Sequence, residues 1–310
     1  MLRALLAATA LSLAIPAAAE TLPIAGSDPA TANVNDLLRI AVERFEGADG
    51  AAVAQHLEAA LGEARFDGRT YYRIVAPESG APIDGLVTGT TRASVDEVPV
   101  TEKRKKCTEY DPADKKKCVT EVEVDIRCRR RTITVATTAR LVAIKDGSIR
   151  YTRPLSVRDQ QTWCPDRAAS RTADDYIEWA ERDQVQAIRR DLAPTGYAID
   201  VRVDENRKGL GKPAADAFKD AIRLTKSDPA AACETWAGLT RDAEPTAALA
   251  FNLGLCAEMG SDFDAAIDWY GQAQRLGSKN RDIGEGIARI DRHRRALADW
   301  DARKRLMGVD

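Results

Sequence analysis

Six cysteines downstream of an export-type leader constrain this chain more than any other feature. Residues 1–19 follow the order of a secretory signal. Arg3 supplies the positive charge, Leu5 to Ile15 form the apolar stretch, and Pro16 precedes Ala17-Ala18-Ala19, a small-residue cleavage site ahead of Glu20. The stretch is too short to span a bilayer, and no cysteine stands at the cleavage point to carry a lipid. Periplasmic or other export is therefore expected, with cleavage after Ala19. In an oxidising compartment an even number of cysteines serves as a disulfide framework. Cys107, Cys118, Cys128, Cys164, Cys233 and Cys256 are spaced by 11, 10, 36, 69 and 23 positions, without the close pairs a structural zinc site needs, and His56 and His293 stand apart, so no metal is expected. Cys107 and Cys118 flank the turn sequence Tyr110-Asp111-Pro112-Ala113-Asp114, which makes a bridge across a hairpin easy. Cys128 with Cys164 and Cys233 with Cys256 would follow. Spacing leaves the other pairings among the first four open.

The hydrophobic period changes along the chain. Residues 20–34 have none and read as a mobile leader. Leu37 to Phe45 is a compact apolar strand, and from Asp49 a helical period places Val53, Leu57, Ala60 and Leu61 on one face. Strands follow at Tyr71–Val75 and Ile83–Gly89. At 118–128, Cys118, Thr120, Val122, Val124, Ile126 and Cys128 alternate with charged residues; a second strand covers 132–144. Lys145-Asp146-Gly147-Ser148 is a hairpin turn, with a return strand from Ile149. A helix around Tyr176–Ile188 ends at Pro194, a short strand covers 197–203, and 204–212 is a linker. The fold class is α+β: a disulfide-containing mixed and antiparallel sheet with packed helices over 35–204, then a helical domain over 213–306.

Charge limits the partners. The chain carries 46 Lys+Arg and 48 Asp+Glu, which argues against a nucleic-acid binder. Between 101 and 131, eleven basic residues meet seven acidic ones in a basic hairpin. Lys103, Arg104, Lys105, Lys106, Lys115, Lys116 and Lys117 are its candidate contacts for anionic groups, including a membrane surface touched peripherally. The competing reading is a solvated hairpin whose lysines block edge pairing.

The C-terminal third carries a more specific pattern. Leu253-Gly254, then Ala266, Tyr270 and Ala273, resemble the signature of a tetratricopeptide repeat, and Ala232, Trp236 and Leu239 stand 34 positions earlier. Asp228-Pro229 and Pro245 mark helix starts. Residues 213–280 are thus similar to two repeats, with 281–306 as a capping helix, although Asp220 stands where the first repeat should have a small residue. The resemblance implies a non-enzymatic groove for a protein partner, with Asn252 and Tyr270 as candidate contacts. Two repeats are fewer than a free-standing stack needs.

The segments Arg39–Phe45, Ala54–Leu57 and Ile83–Gly89 give the N-terminal part a similarity to envelope α/β modules of the CsgG and TolB N-terminal kind. That resemblance bears on fold and compartment, and it lacks the lipidated cysteine of CsgG.

Motifs of catalysis are missing: no His-Glu-x-x-His, Gly-x-Ser-x-Gly, Walker loop or dinucleotide turn occurs. Asp174-Asp175 reads as helix N-terminal charge. The expectation is an exported interaction or scaffold module for an envelope protein, without cofactor. The alternatives are a ligand-binding protein or hydrolase with a carboxylate site, and an envelope protein associated with anionic lipid.

Overall fold

The computed structural model describes residues 20–241 and 244–309, so the expected signal segment lies outside the described residues. Two strands organise the larger part of the chain. β6 (Gly85–Tyr110) and β7 (Cys118–Ala143) are 26 residues each and pair antiparallel along their length. They merge the separate strands that the sequence pattern suggests at 83–89, 118–128 and 132–144. Elements before them are β1 (Thr21–Asp28), β2 (Arg39–Val42), α1 (Gly50–Gly62), the short β3 (Arg65–Phe66), β4 (Arg69–Thr70) and β5 (Arg73–Ile74). After them come β8 (Ile149–Trp163), α2 (Ala173–Leu192), β9 (Thr195–Arg202), α3 (Lys212–Leu224), α4 (Pro229–Leu239), α5 (Ala247–Met259), α6 (Phe263–Arg275) and α7 (Asp282–Met307). The architecture is mixed α+β.

The chain divides into two compact units. One comprises the residues up to Gly26 with Tyr197–Arg292, the other Ser27–Gly196 with His293–Asp310. The expected boundaries at 34, 204 and 213 therefore need correction. β1 replaces the mobile leader: Leu22 and Ile24 alternate with more exposed neighbours and are buried. β1 pairs with β9, and both feed the apolar core that also holds Phe218, Trp236 and Phe251. The expected capping helix is likewise divided, its residues from His293 onward counting with the sheet unit.

In the sheet unit the strand order is β5-β2-β6-β7-β8, parallel from β5 to β6 and antiparallel from β6 to β8. One face is apolar, with Val87, Ala139 and Leu141 packed in a core with Val53, Leu57, Val185 and Ile188. α1 and α2 supply those side chains because each buries residues three and four positions apart. α2 starts at a capping box in which the Thr172 hydroxyl accepts from the Asp175 N–H and the Asp175 carboxylate accepts from the Thr172 N–H. It ends before Pro194, which lacks the N–H a helix would require.

Arg303 is wholly buried in this unit, with no ion-paired carboxylate among the described residues. Its Nε donates to the Tyr71 carbonyl at 3.0 Å, Nη1 to Asn35 at 2.9 Å and Nη2 to Leu37 at 2.9 Å. The guanidinium lies 4.1 Å from the Tyr71 ring centre and 4.8 Å from that of Tyr72. Burial lowers its pKa from a very high ordinary value, and the two phenols oppose the shift. Carbonyl dipoles and π faces thus replace water around the charge. Arg303→Ala should destabilise the sheet unit by about 3 kcal/mol or more, because three buried carbonyls lose donors and a cavity remains. Arg303→Lys should recover only part of that, since an ammonium lacks the planar fork. Urea unfolding followed by tryptophan fluorescence measures both.

Glu181 on α2 is a second buried ionisable group. It is 5% exposed and its Oε1 has no hydrogen-bond partner. Burial, then the charges of Asp49 and Glu178, push its pKa up to about 7. The folded state therefore holds a proton that the unfolded chain releases near pH 4.5, so stability falls as pH rises through that interval and stays low above it. Glu181→Gln should flatten this slope and stabilise the protein by up to about 3 kcal/mol above neutrality. Unfolding free energies measured from pH 4.5 to 8.5 test it; a parallel slope in both proteins would show that Glu181 is not the titrating group.

Candidate functional site

The distal half of the β6–β7 ribbon is the least ordinary surface of the chain. At about 3.3 Å per residue each strand runs about 85 Å. β8 ends with Trp163 opposite Arg129, so the segment beyond, Thr101–Tyr110 with Cys118–Arg127, has no third strand. None of its residues is buried. An isolated two-stranded ribbon is marginal in water, and two disulfides compensate. Cys107–Cys118 closes the tip, and Cys128–Cys164 ties β7 to the end of β8 at the base. The third bridge, Cys233–Cys256, joins α4 to α5. Such bridges are compatible with an exported location.

Register decides what the charges do. Lys103 and Lys105 share a face with Glu121, Glu123 and Asp125, and they pair diagonally: Lys105 with Glu121 at 3.0 Å, Lys103 with Glu123 at 3.8 Å. At the tip Lys117 meets Asp111 at 3.7 Å. Arg104 is on the opposite face. It holds Glu102 at 3.0 Å and Asp166 at 2.8 Å, and donates to Cys164 Sγ at 2.8 Å beside the basal disulfide. Glu102 raises the Arg104 pKa through their hydrogen bond. Lys106 lies across from Val122, while Lys115 and Lys116 are exposed in the turn; among the described residues these three make no ion pair. The seven basic residues thus occupy two faces and a tip rather than one patch. Exposed pairs of this kind contribute about 0–1 kcal/mol each. Closing the 11-residue loop is worth about 3 kcal/mol, so the tip bridge dominates.

Asn252 and Tyr270, the candidate partner contacts, are fully buried, which corrects that expectation. Asn252 accepts from the Asp204 N–H at 2.8 Å and donates to the Asp204 carbonyl at 3.0 Å, anchoring the segment after β9. The Tyr270 hydroxyl donates to Glu258 at 2.6 Å, and Arg289 holds the same carboxylate through two contacts of 2.9 Å. The Tyr270 ring fills a slot that only glycine leaves open: a Cβ at Gly254 would stand 2.5 Å from it, and one at Gly286 2.8 Å. Both side chains build the helical core, a role the repeat pattern encodes equally well.

Glu102, Cys128 and Cys164 bring three potential metal-ligand atoms together, but both sulfurs are committed to one disulfide and offer no thiolate. Glu43 and Glu46 line a concavity of about 440 Å³ with Arg44, Thr88 and Arg140, and both carboxylates belong to exposed residues. Among the described residues no helix is long and apolar enough to cross a membrane.

The sheet face away from the helices holds residues that sequence reasoning missed. Across β6, β7 and β8 it reads Thr88–Arg140–Thr152, Thr90–Thr138–Pro154, Arg92–Ala136–Ser156, Ser94–Thr134–Arg158, Asp96–Thr132–Gln160 and Val98–Arg130–Thr162. Arg92, Arg130, Arg140 and Arg158 are exposed, and among the described residues none is in an ion pair. The signal was the period of two, followed on the solvent side instead of the core side.

Removing the tip bridge by Cys107→Ser with Cys118→Ser should accelerate hydrogen exchange of the Thr101–Tyr110 amides by about a hundredfold, the equivalent of about 3 kcal/mol. Amides of Val87 and Leu141 should be unaffected. Unchanged protection at the tip would assign the ribbon's rigidity to its ion pairs instead.

No family model matches the chain, and no curated protein matches it. Among solved structures it is similar to a "putative lipoprotein" of Caulobacter crescentus CB15, at 13% identity and a TM-score of 0.25, over 51% of this chain and 89% of that one. It is also similar to a PDZ domain protein of Parabacteroides distasonis ATCC 8503, at 10% identity and a TM-score of 0.23, over 67% of this chain and 54% of that one. At those scores neither likeness carries an argument about fold or function.

Proposed function

We propose that the chain is a non-enzymatic interaction module of the bacterial periplasm that presents a disulfide-stapled β-arm and a tetratricopeptide-like helical stack to a protein partner in the cell envelope. The observation that carries this reading is the arm itself. It orders Thr101–Tyr110 and Cys118–Arg127 with no buried residue and two covalent staples. Such an element adds nothing to the core, so its worth lies in what it touches. Tyr110, Val119 and Val122 are each more than a third exposed along it, an apolar content suited to protein contact. Support for the repeat reading comes from the Tyr270 slot between Gly254 and Gly286 and from the consecutive packing of α3 to α6. The partner surface of that stack excludes Asn252 and Tyr270, which are internal.

A photo-cross-linking residue placed at Val122 on the arm, at Asp268 on α6, or at Glu58 on α1 as a control tests the proposal in the native envelope. One protein should be captured from Val122 or Asp268 and not from Glu58, and the Val122 adduct should fall when the tip disulfide is removed. Equal labelling from all three positions would refute it.

A further inference from the structure

The geometry points to the open sheet face as a binding site for an acidic polysaccharide strand, with Arg92, Arg130, Arg140 and Arg158 as its anion-holding residues. This site is separate from the arm and does not depend on the partner proposed above. The four arginines stand in the first, third, fourth and sixth cross-strand rows of that face. Rows are about 6.8 Å apart, so the series extends over about 34 Å. Their order runs from β7 to β6 to β8 and back to β7, a zigzag that follows the direction of β7 and swings to either side of it. An extended polymer with charges at intervals fits such a path; a compact anion would meet one arginine at a time.

Three acidic residues share the area: Asp96 in the fifth row, and Glu43 and Glu46 beside Arg140, where Arg44 adds a further positive charge. The balance is positive, most clearly toward Arg92 and Arg158. Between the arginines the face consists mainly of threonine, serine and glutamine, donors and acceptors suited to sugar hydroxyls. Guanidinium forks match carboxylate, sulfate or phosphate groups. The first five rows offer no apolar wedge for a lipid. The aromatic residues of β8, Tyr151 and Trp163, belong to the opposite face, which leaves nothing on which bases would stack. A peptide would be expected to add to a free strand edge before a polar face.

Binding of the oxidised full chain to polygalacturonate, dextran sulfate and uncharged dextran tests the inference. Both acidic polymers should bind, dextran should not, and affinity should fall as salt screens the charges. Changing all four arginines to glutamine should weaken binding by about thirtyfold or more, without a change in melting temperature. The single variants Arg92→Gln and Arg158→Gln, should the quadruple one fold poorly, should each lose about threefold. Changing Lys103 and Lys105 on the arm should leave binding intact. Undiminished binding by the arginine variants, equal binding of dextran, or tighter binding of phosphatidylglycerol vesicles or oligothymidylate would overturn it.

Discussion

The antiparallel pairing of β6 with β7 underlies the rest of the structure. Its proximal half is the centre of a five-stranded sheet, where Val87 and Leu141 enter the core. Its distal half is an uncovered ribbon. The backbone ladder runs through both, broken only by register shifts at Cys107–Tyr110 near the tip, whereas side-chain burial stops near Thr91 on β6 and near Cys128 on β7. One ladder therefore passes from hydrophobic to covalent stabilisation along its length, and Cys128–Cys164 stands at the changeover. A strand pair this long without the staples would fray from the tip, because each exposed ion pair contributes too little to hold it.

Buried charge follows two different solutions in the two units. Glu258 and Arg289 neutralise one another in bidentate geometry, with the Tyr270 hydroxyl as a third partner. Arg303 has carbonyls and aromatic faces in place of a counter-ion. Both arrangements pin a helix to its surroundings through directed donors and not through apolar area alone. Glu181 has no comparable arrangement and retains its proton up to about pH 7 instead.

Surface chemistry divides along the same ladder. On the arm, register sets lysines diagonally across from carboxylates and cancels much of their field. On the open face of the sheet, arginines fall on rows of hydroxyl residues and keep theirs. The basic stretch that stands out in the sequence is thus partly neutralised, while single arginines scattered over three strands assemble into the more consistent cationic surface.

Much of the local structure was legible in the chain. Alternation gave the strands, Asp228-Pro229 gave a helix start, and the small residues Gly254 and Ala266 ahead of Tyr270 marked a close helix approach. Those features depend on neighbours a few positions away, or on one side chain filling one gap. What required the tertiary structure was long-range: that Leu22 and Ile24 complete the core around Phe218, that Arg303 seeks carbonyls 232 to 268 positions earlier, and that Asn252 and Tyr270 point inward. A sequence shows which residues share a face of one element, but only the folded chain determines what covers that face, since burial is a property of the whole packing and not of the local period.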